Sequence, residues 1–304
     1  MSLFDCIVIG GGPAGLSAAI YLSRHHLLTR LFDCGTSRAG WIPCSHNLSG
    51  YANGISGDEL LIRIGDYAAK YGVKLTYEEV TELRSDGHIF SVRTPFETVR
   101  ARCVLLATGV INRSPSAMDR DLHERALRAG RVRYSPLCDG FEVTDKHIAM
   151  IGKDDHALAE AMFLRSSSNS ITLIPDSEQT AFSKGRIQEA KDAEVVIVGQ
   201  PAEAYFLEED TIIVKTRESN LRFDPLYPAL GSDIRSSLAG MCDASLDKAG
   251  CIVVDEHMRT TVVALYAAGD VVVGLNHISN AMGQAGVAST TIRNDLAEKR
   301  SLLR

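Results

Sequence analysis

A glycine-rich turn near the N-terminus places the strongest constraint on how this chain can fold. The pattern Gly10-x-Gly12-x-x-Gly15 follows a short apolar stretch, residues 6–9, and leads into an amphipathic stretch, residues 16–24. The first glycine permits a sharp turn, the second lets a pyrophosphate approach the backbone, and the third lets helix and strand pack closely. The start of such a helix also favours phosphate through its free N–H groups and dipole. The pattern therefore predicts a dinucleotide-binding βαβ unit.

An acidic residue completes this predicted site. Residues 29–32 form a second predicted strand, and Asp33 follows directly at its end, where a carboxylate accepts hydrogen bonds from ribose hydroxyls. Two later stretches favour FAD over NAD. Residues 106–110 have the strand-to-turn pattern that closes a flavin domain, and residues 266–271 contain Asp270, whose carboxylate can bind ribityl hydroxyls. We therefore expect FAD as the cofactor.

Composition excludes several other classes of protein. The chain has 304 residues, of which 45% are hydrophobic, so a large core and more than one domain are expected. A net charge of −6 argues against a nucleic-acid partner, and no apolar run approaches the roughly 18 residues of a membrane helix. The cysteines show neither a CxxC pair nor zinc-ligand spacing, and the N-terminus lacks a signal-peptide pattern. We expect a reduced, cytoplasmic protein without bound metal.

A second βαβ beginning occurs in the middle of the chain. Residues 147–151 are predicted as a strand and residues 157–165 as a helix, separated by another glycine-containing turn. This repetition indicates an internal duplication of a dinucleotide-binding unit. After it, residues 251–254 and 265–267 are predicted strands, and a long final helix is predicted from about Ile278 to Lys299.

Several motifs together resemble the thioredoxin-reductase-like flavoproteins, the class II pyridine nucleotide-disulfide oxidoreductases. The matching stretches are residues 10–15, 45–50, 107–109, 138–140, 267–271 and 276–281. The resemblance implies an α/β fold with two Rossmann-like, three-layer dinucleotide-binding domains, the second inserted into the first. It places the FAD-binding domain at residues 1–112 and 224–304 and a degenerate NAD(P)-binding-like domain at residues 113–223. It also implies a homodimer and a thioredoxin- or ferredoxin-type redox partner.

The resemblance also assigns cofactor-binding residues. It places Asn47 and residues 276–278 beside the isoalloxazine ring, with the N-terminus of the last helix facing the pyrimidine end of the ring. A positive helix end there stabilises an anionic reduced flavin. The full set expected to bind FAD is Gly10, Gly12, Pro13, Ala14, Gly15, Asp33, Ser45, Asn47, Val80, Ala107, Thr108, Gly109, Gly269, Asp270, Asn276, His277 and Ile278. His46 and His277 remain candidates both for proton donation and for structural roles.

The second glycine-rich turn departs from the family pattern. The family binds NADPH through GxGxxA, whereas here Gly152 and Ala157 remain but the middle glycine is Asp154. A side chain and a negative charge at that position both oppose an approaching pyrophosphate. Residues 175–178 are acidic where a 2′-phosphate needs basic side chains. We therefore expect a domain that has lost NADPH. NADH remains an alternative because Asp176 could meet a free 2′-hydroxyl.

The redox motif also departs from the family pattern, which is Cys-x-x-Cys-Asp-Gly. Ser135 stands in place of the first cysteine, while Cys138 and Asp139 remain. The resemblance gives Cys138 the flavin-facing role and makes Asp139 a general acid or base. A serine hydroxyl cannot form a disulfide, so the usual dithiol relay is expected to be lost. Cys138 could act as a lone flavin-proximal thiol, remain as a vestige, or pair with another cysteine such as Cys44.

These observations favour an FAD-dependent oxidoreductase related to thioredoxin reductase, with Cys138 and Asp139 as catalytic residues. Its electrons would come from a donor other than NADPH, such as a ferredoxin- or flavodoxin-type protein. One alternative is an NADH-dependent disulfide reductase, and another is a ferredoxin–NADP reductase, against which the acidic turn argues. A third alternative is a flavin-binding redox sensor without turnover, since loss of both motifs fits relaxed catalytic demand.

Overall fold

The computed structural model describes residues 3–299 and 301–302. The chain divides into two compact units. Unit 1 comprises Met1–Gly40, Gly57–Ile111 and Ile234–Arg304, and unit 2 comprises Trp41–Ser56 and Asn112–Asp233. The sequence placed residues 41–56 with the FAD-binding part of the chain, whereas the structure groups them with unit 2.

The strands, in chain order, are β1 (Leu3–Ile9), β2 (Thr29–Phe32), β3 (Lys74–Thr76), β4 (Glu82–Ser85), β5 (Phe90–Arg93), β6 (Thr98–Leu106), β7 (Val110–Asn112), β8 (Ile148–Ile151), β9 (Ile171–Ile174), β10 (Val196–Ile197), β11 (Ala204–Leu207), β12 (Ile212–Lys215), β13 (Asn220–Phe223), β14 (Leu226–Pro228), β15 (Ser232–Ile234) and β16 (Leu265–Ala267). The helices are α1 (Pro13–Arg24), α2 (Gly57–Lys70), α3 (Arg120–Arg128), α4 (Pro136–Asp139), α5 (Asp155–Leu164), α6 (Lys184–Asp192), α7 (Ser237–Gly240) and α8 (Ile278–Lys299).

Unit 1 contains a seven-stranded sheet in the order β3-β2-β1-β6-β5-β4, with β16 also paired to β6. The long strand β6 has three neighbours. It pairs parallel with β1, its first half pairs antiparallel with β5, and its last residues pair parallel with β16. Strands β1, β2, β6 and β16 run parallel, so their carboxyl ends lie along one edge of the sheet. Helices α2 and α8 both pack against α1. The first glycine-rich turn follows β1 at this edge, where Rossmann-type sheets bind their ligands.

The core of unit 1 explains why these apolar stretches form strands. Phe32, Leu83 and Phe90 are almost completely buried in one cluster with residues of β1, β6 and β16. Burying a side chain of this size contributes about 1.5–3 kcal/mol. The cluster therefore holds together the strands whose ends carry the glycine-rich turn.

Unit 2 contains a four-stranded, fully parallel sheet in the order β10-β9-β8-β14 and a three-stranded antiparallel sheet, β11-β12-β13. Its β8–α5–β9 segment repeats the strand–helix–strand arrangement of β1–α1–β2. Two of the places where the chain passes from one unit to the other lie in β7 and β15, which pair with each other as a two-stranded sheet. The α/β fold class with two Rossmann-like sheets is confirmed.

One local prediction of a strand differs from the structure. Residues 251–254 do not form a strand, and only Ile252 makes isolated bridges. The carboxylate of Asp247 accepts hydrogen bonds from the backbone N–H groups of Ala249 and Cys251, so a turn replaces strand pairing there.

Candidate functional site: a dinucleotide cradle and a redox motif

The glycine-rich turn of unit 1 has no space for side chains at two positions. Gly10 has φ +109°, and a Cβ atom there would collide with the carbonyl oxygen of Ala107. A Cβ atom at Gly15 would collide with the carbonyl oxygen of Gly10. At Gly12 the nearest atom to such a Cβ would be Ser37 Oγ, at 3.2 Å. Internal packing therefore requires Gly10 and Gly15, while Gly12 leaves the backbone accessible.

The N-terminus of α1 has the features of an anion-binding site. Gly12 is the residue before the helix and provides no side-chain cap, Pro13 is its first residue, and the first turn carries no acidic side chain. The first N–H groups of a helix have no acceptor inside the helix, and together with the dipole they attract phosphate. Ala14 is buried against Gly269, where a Cβ atom would lie 2.9 Å from Ala14 Cβ. The expected residues Gly10 to Gly15 and Gly269 thus lie together.

Asp33 lies against the same turn. The backbone N–H of Gly11 donates to Asp33 Oδ1 at 3.0 Å, and a Cβ atom at Gly11 would lie 2.5 Å from the Asp33 carboxyl carbon. The backbone N–H of Asp33 in turn donates to the carbonyl of Thr76. The glycine turn therefore fixes this half-buried carboxylate at the end of β2, the position where ribose hydroxyls are bound in this fold.

Asp270 forms an ion pair that sequence analysis missed. Its carboxylate lies 3.1 Å from Arg38 Nη1, and both side chains are largely buried. Burial raises the pKa of Asp270, while Arg38 and His277 oppose this shift. Arg38 lies in a 3-10 turn, Arg38–Trp41, far from Asp270 in the chain. No local motif marks it, because only the fold brings the two charges together.

The other unit 1 residues expected at the cofactor differ in their roles. Ala107 donates its N–H to Ile9, and Thr108 Oγ1 donates to the carbonyl of Arg235 at 2.6 Å, next to Gly109 at φ +64°. These bonds link the end of β6 to β1 and to the segment after β15. The side chain of Val80 lies in the unit 1 core. The side chains of Thr108 and Val80 therefore have structural roles.

The start of α8 is also free of acidic side chains. The ring nitrogen Nδ1 of His277 accepts a hydrogen bond from the N–H of Ser279 at 3.2 Å, so His277 caps this helix. Asn276 is exposed, and His277 and Ile278 are half-buried. Because Nδ1 accepts a hydrogen bond, a neutral His277 ring carries its proton on Nε2.

Ser45 and Asn47 belong to a different part of the structure. Both lie in unit 2, where Ser45 Oγ donates to Asn47 Oδ1 at 3.0 Å and the Ser45 backbone pairs with Ile55. Trp41 attaches this segment to unit 2, with its ring 5.3 Å from His123 and 5.7 Å from Tyr134 between centroids.

The redox motif lies on α4 of unit 2. Ser135 precedes the helix, and its hydroxyl donates to Cys138 Sγ at 3.0 Å. The serine therefore occupies the place from which a first cysteine would contact the second. Asp139 lies 3.3 Å from Arg133 Nη1. Burial raises the pKa of Asp139, and Arg133 opposes that rise.

Two buried groups surround this acid. Tyr227 is fully buried, and its hydroxyl makes no hydrogen bond within the described residues. Burial and the nearby Asp139 charge both raise the pKa of Tyr227, so its hydroxyl keeps its proton. One carboxylate oxygen of Glu142 is likewise buried without a partner in the described part of the chain. Cys138 and Asp139 thus lie beside a tyrosine hydroxyl that retains its proton.

The glycine-rich turn of unit 2 keeps its packing and loses its open helix end. A Cβ atom at Gly152 would collide with Ala157 Cβ, so strand and helix remain in close contact. Asp154 caps α5, because its Oδ1 accepts from the N–H groups of His156 and Ala157 at 3.1 and 3.4 Å. A carboxylate of the protein itself therefore accepts the N–H groups in the first turn of α5.

The acidic stretch after β9 is also engaged internally. Asp176 Oδ1 accepts from the N–H of Ser116 at 3.0 Å, and Ser116 Oγ donates back to the Asp176 carbonyl at 3.2 Å. Glu178 forms an ion pair with Arg217 at 3.3 Å. These contacts give the acidic residues structural partners.

Comparison with known proteins decides the family. The family described as pyridine nucleotide-disulphide oxidoreductase matches residues 4–285. This chain belongs to that family. Thioredoxin reductase from Mycolicibacterium smegmatis is 32% identical over 285 residues, with 89% of each chain covered. Thioredoxin reductase from Streptomyces coelicolor is 32% identical over 284 residues, covering 88% of this chain and 86% of that protein.

A solved structure shows the same fold. Thioredoxin reductase from Streptococcus pyogenes matches with a TM-score of 0.88 at 23% identity, covering 97% of this chain and 99% of that chain. The resemblance to thioredoxin-reductase-like class II flavoproteins is confirmed at the level of the family. None of the helices in the described residues is long and apolar enough to span a membrane.

Proposed function

We propose that this protein is an FAD-dependent oxidoreductase related to thioredoxin reductase that does not take electrons from NADPH. The contrast between its two glycine-rich turns carries the proposal. Helix α1 begins without a side-chain cap, whereas Asp154 places a carboxylate on the N-terminal N–H groups of α5. The turn before α1 favours an anionic dinucleotide. The turn before α5 opposes it, because the Asp154 carboxylate is negatively charged and already accepts the N–H groups that a phosphate would use.

The residues of unit 1 fit FAD. The uncapped α1 end and Gly12 would receive the pyrophosphate, Asp33 the ribose hydroxyls, and Asp270 the ribityl hydroxyls. Arg38, now paired with Asp270, supplies the positive charge nearest to that carboxylate. FAD, when bound, supplies two-electron redox chemistry. Unit 1 is accordingly proposed as the FAD-binding domain and unit 2 as the degenerate nucleotide-type domain.

The residues around Cys138 can hold and transfer protons. A raised pKa lets Asp139 hold a proton nearer to neutral pH than an ordinary aspartic acid, which suits a general acid or base. Arg133 orients the carboxylate through their ion pair. Ser135 keeps the Cys138 thiol hydrogen-bonded but provides no second sulfur. We propose Cys138 and Asp139 as the catalytic residues.

The electron donor is proposed to be a small redox protein of the ferredoxin or flavodoxin type, with a homodimer as the functional form. The test is an anaerobic titration of the purified, FAD-loaded protein, followed by its visible spectrum. We expect bleaching by the reduced redox protein and none by stoichiometric NADPH. Rapid stoichiometric bleaching by NADPH would overturn the proposal, as would failure to bind FAD.

A second candidate is a flavin-binding redox sensor without turnover. The hydroxyl of Ser135 beside Cys138 favours it, because the motif has lost one of the two sulfurs that turnover would use. Reoxidation of the reduced protein by candidate acceptors separates the two functions. Turnover above the rate of free flavin supports the enzyme, and no acceleration by any acceptor supports the sensor.

A further inference from the structure

A thiol and an imidazole lie side by side in the segment of residues 41–56. A Cβ atom at Gly54 would lie 2.5 Å from Cys44 Sγ and 2.8 Å from both Nδ1 and Cε1 of His46. Both side chains therefore border the same point, and only the absence of a side chain at Gly54 leaves room for them. Gly54 also has φ +76°, which favours glycine.

This pair lies in the same unit as the redox motif. Of the seven cysteines, all within the described residues, only Cys44 and Cys138 lie in unit 2. The rings of Trp41 and Tyr134 pack together at 5.7 Å between centroids. An extended chain spans about 3.3–3.6 Å per residue, so Cys44 lies within roughly 11 Å of Trp41 and Cys138 within roughly 14 Å of Tyr134.

Residues 41–56 and the redox motif also interact electrostatically. Burial raises the pKa of Asp139, Arg133 lowers it, and His46 lowers it further. His46 is thus close enough for its charge to act on the acid that follows Cys138. A disulfide needs its two Cα atoms about 4.4–6.8 Å apart. Cys44 directly precedes a short hydrogen-bonded loop, in which Ser45 pairs with Ile55 through two backbone hydrogen bonds.

We propose that Cys44 supplies the sulfur that Ser135 lacks and forms a redox pair with Cys138, with disulfides as substrates. This inference rests on the proposed function and deepens it.

The reaction begins at Cys44. His46 accepts the proton of Cys44, and the resulting thiolate attacks one sulfur of an external disulfide. The substrate disulfide bond breaks, a Cys44 mixed disulfide forms, and the leaving sulfur takes the proton from His46 and departs as one thiol. Cys138 gives its proton to Asp139 and attacks Cys44 Sγ. The mixed disulfide breaks, the second substrate sulfur takes the proton from Asp139 and leaves as a thiol, and a Cys44–Cys138 disulfide remains. Two electrons and two protons pass from the two cysteines to the substrate.

Disulfide mapping tests the pair directly. The reduced full-length protein is exposed to glutathione disulfide, alkylated, digested and analysed without reduction by mass spectrometry. We expect a cross-link between the peptides of Cys44 and Cys138 and two glutathiones released per chain. Cys138→Ser should trap glutathione on Cys44, Cys44→Ser should lose the cross-link, and the control Cys251→Ser should retain it. No cross-link in the folded protein, or glutathione trapped on Cys138 alone, would overturn the inference.

A second variant tests the imidazole. His46→Ala should slow glutathione capture by Cys138→Ser protein at least about tenfold, because general-base assistance is lost. The matched control is His88→Ala, which removes an exposed histidine of unit 1. Equal slowing by both variants, or by neither, would refute the role of His46. Mapping needs no flavin, so FAD binding without a cross-link refutes only this inference, and a cross-link without FAD binding refutes only the proposed function.

Discussion

Side-chain oxygen atoms make local hydrogen bonds at two sites in unit 2 that bear on the proposed function. The hydroxyl of Ser135 contacts Cys138 Sγ at 3.0 Å. A carboxylate oxygen of Asp154 accepts hydrogen bonds from N–H groups in the first turn of α5. Each makes a local hydrogen bond. A substitution at either position therefore tests what its side chain contributes to the proposed function.

Ser135→Cys is predicted to recover a disulfide with Cys138. The hydroxyl already lies within contact distance of Cys138 Sγ, so the new sulfur needs little movement to reach the bond length of about 2.05 Å. Titration of thiols after mild oxidation should show loss of the Cys138 thiol, and peptide mapping should identify a bridge from Cys138 to the introduced sulfur. Ser135→Ala is the control. If mild oxidation leaves both thiols free in the folded variant, this interpretation of α4 is wrong.

Asp154→Gly is predicted, at the scale of one helix, to open the N-terminus of α5. The carboxylate no longer occupies the first N–H groups or opposes phosphate, so affinity for NADH or NADPH should rise at least about tenfold. Asp154→Ser is the matched variant, because it keeps a cap without the charge and should give a smaller gain. Calorimetric titration measures both. Equal affinities for the original protein and Asp154→Gly would contradict the prediction.

Asp295, near the far end of α8, is bonded to Tyr266 of β16 and to Arg259. Arg259 donates two hydrogen bonds to Asp295, at 2.9 and 2.6 Å, and Tyr266 Oη donates a third at 2.7 Å. Asp295→Ala should lower the free energy of unfolding by about 2 kcal/mol, because it leaves the Tyr266 hydroxyl without its acceptor and removes two hydrogen bonds of Arg259. The control Glu298→Ala, an exposed acid on the same helix, should change it by less than about 0.5 kcal/mol.

The effect of Asp295 should depend on pH. Hydrogen bonds from Arg259 are the main cause that lowers the pKa of Asp295. A lowered pKa in the folded state stabilises the protein above the unfolded value, about 3.9, and that contribution is lost as the pH falls through the folded value. The difference between the original protein and Asp295→Ala should therefore shrink in denaturant titrations below about pH 4. A constant difference down to about pH 2 would exclude this origin.

At the scale of the whole molecule, sequence was most informative where the structure is local. The turn from Gly10 to Gly15 and the last helix follow from residue types at fixed spacing. The ion pair of Arg38 with Asp270 and the packing of Trp41 on Tyr134 join parts of the chain far apart in sequence. No periodicity encodes such contacts, so the grouping of residues 41–56 with unit 2 could not be predicted.

The two units should respond differently to FAD. Trp41 is the single tryptophan and lies in unit 2, so its emission reports the unfolding of that unit. A ligand that binds only the folded state stabilises its own unit, by about 2.7 kcal/mol at a concentration about 100 times its Kd. Because the proposed FAD residues Gly12, Asp33 and Asp270 lie in unit 1, added FAD should shift a transition seen by circular dichroism toward higher denaturant by more than it shifts the Trp41 transition. Equal shifts of both signals would show that FAD stabilises unit 2 as well, contrary to the prediction. The control is Asp270→Ala, in which added FAD should shift neither transition at the same concentration.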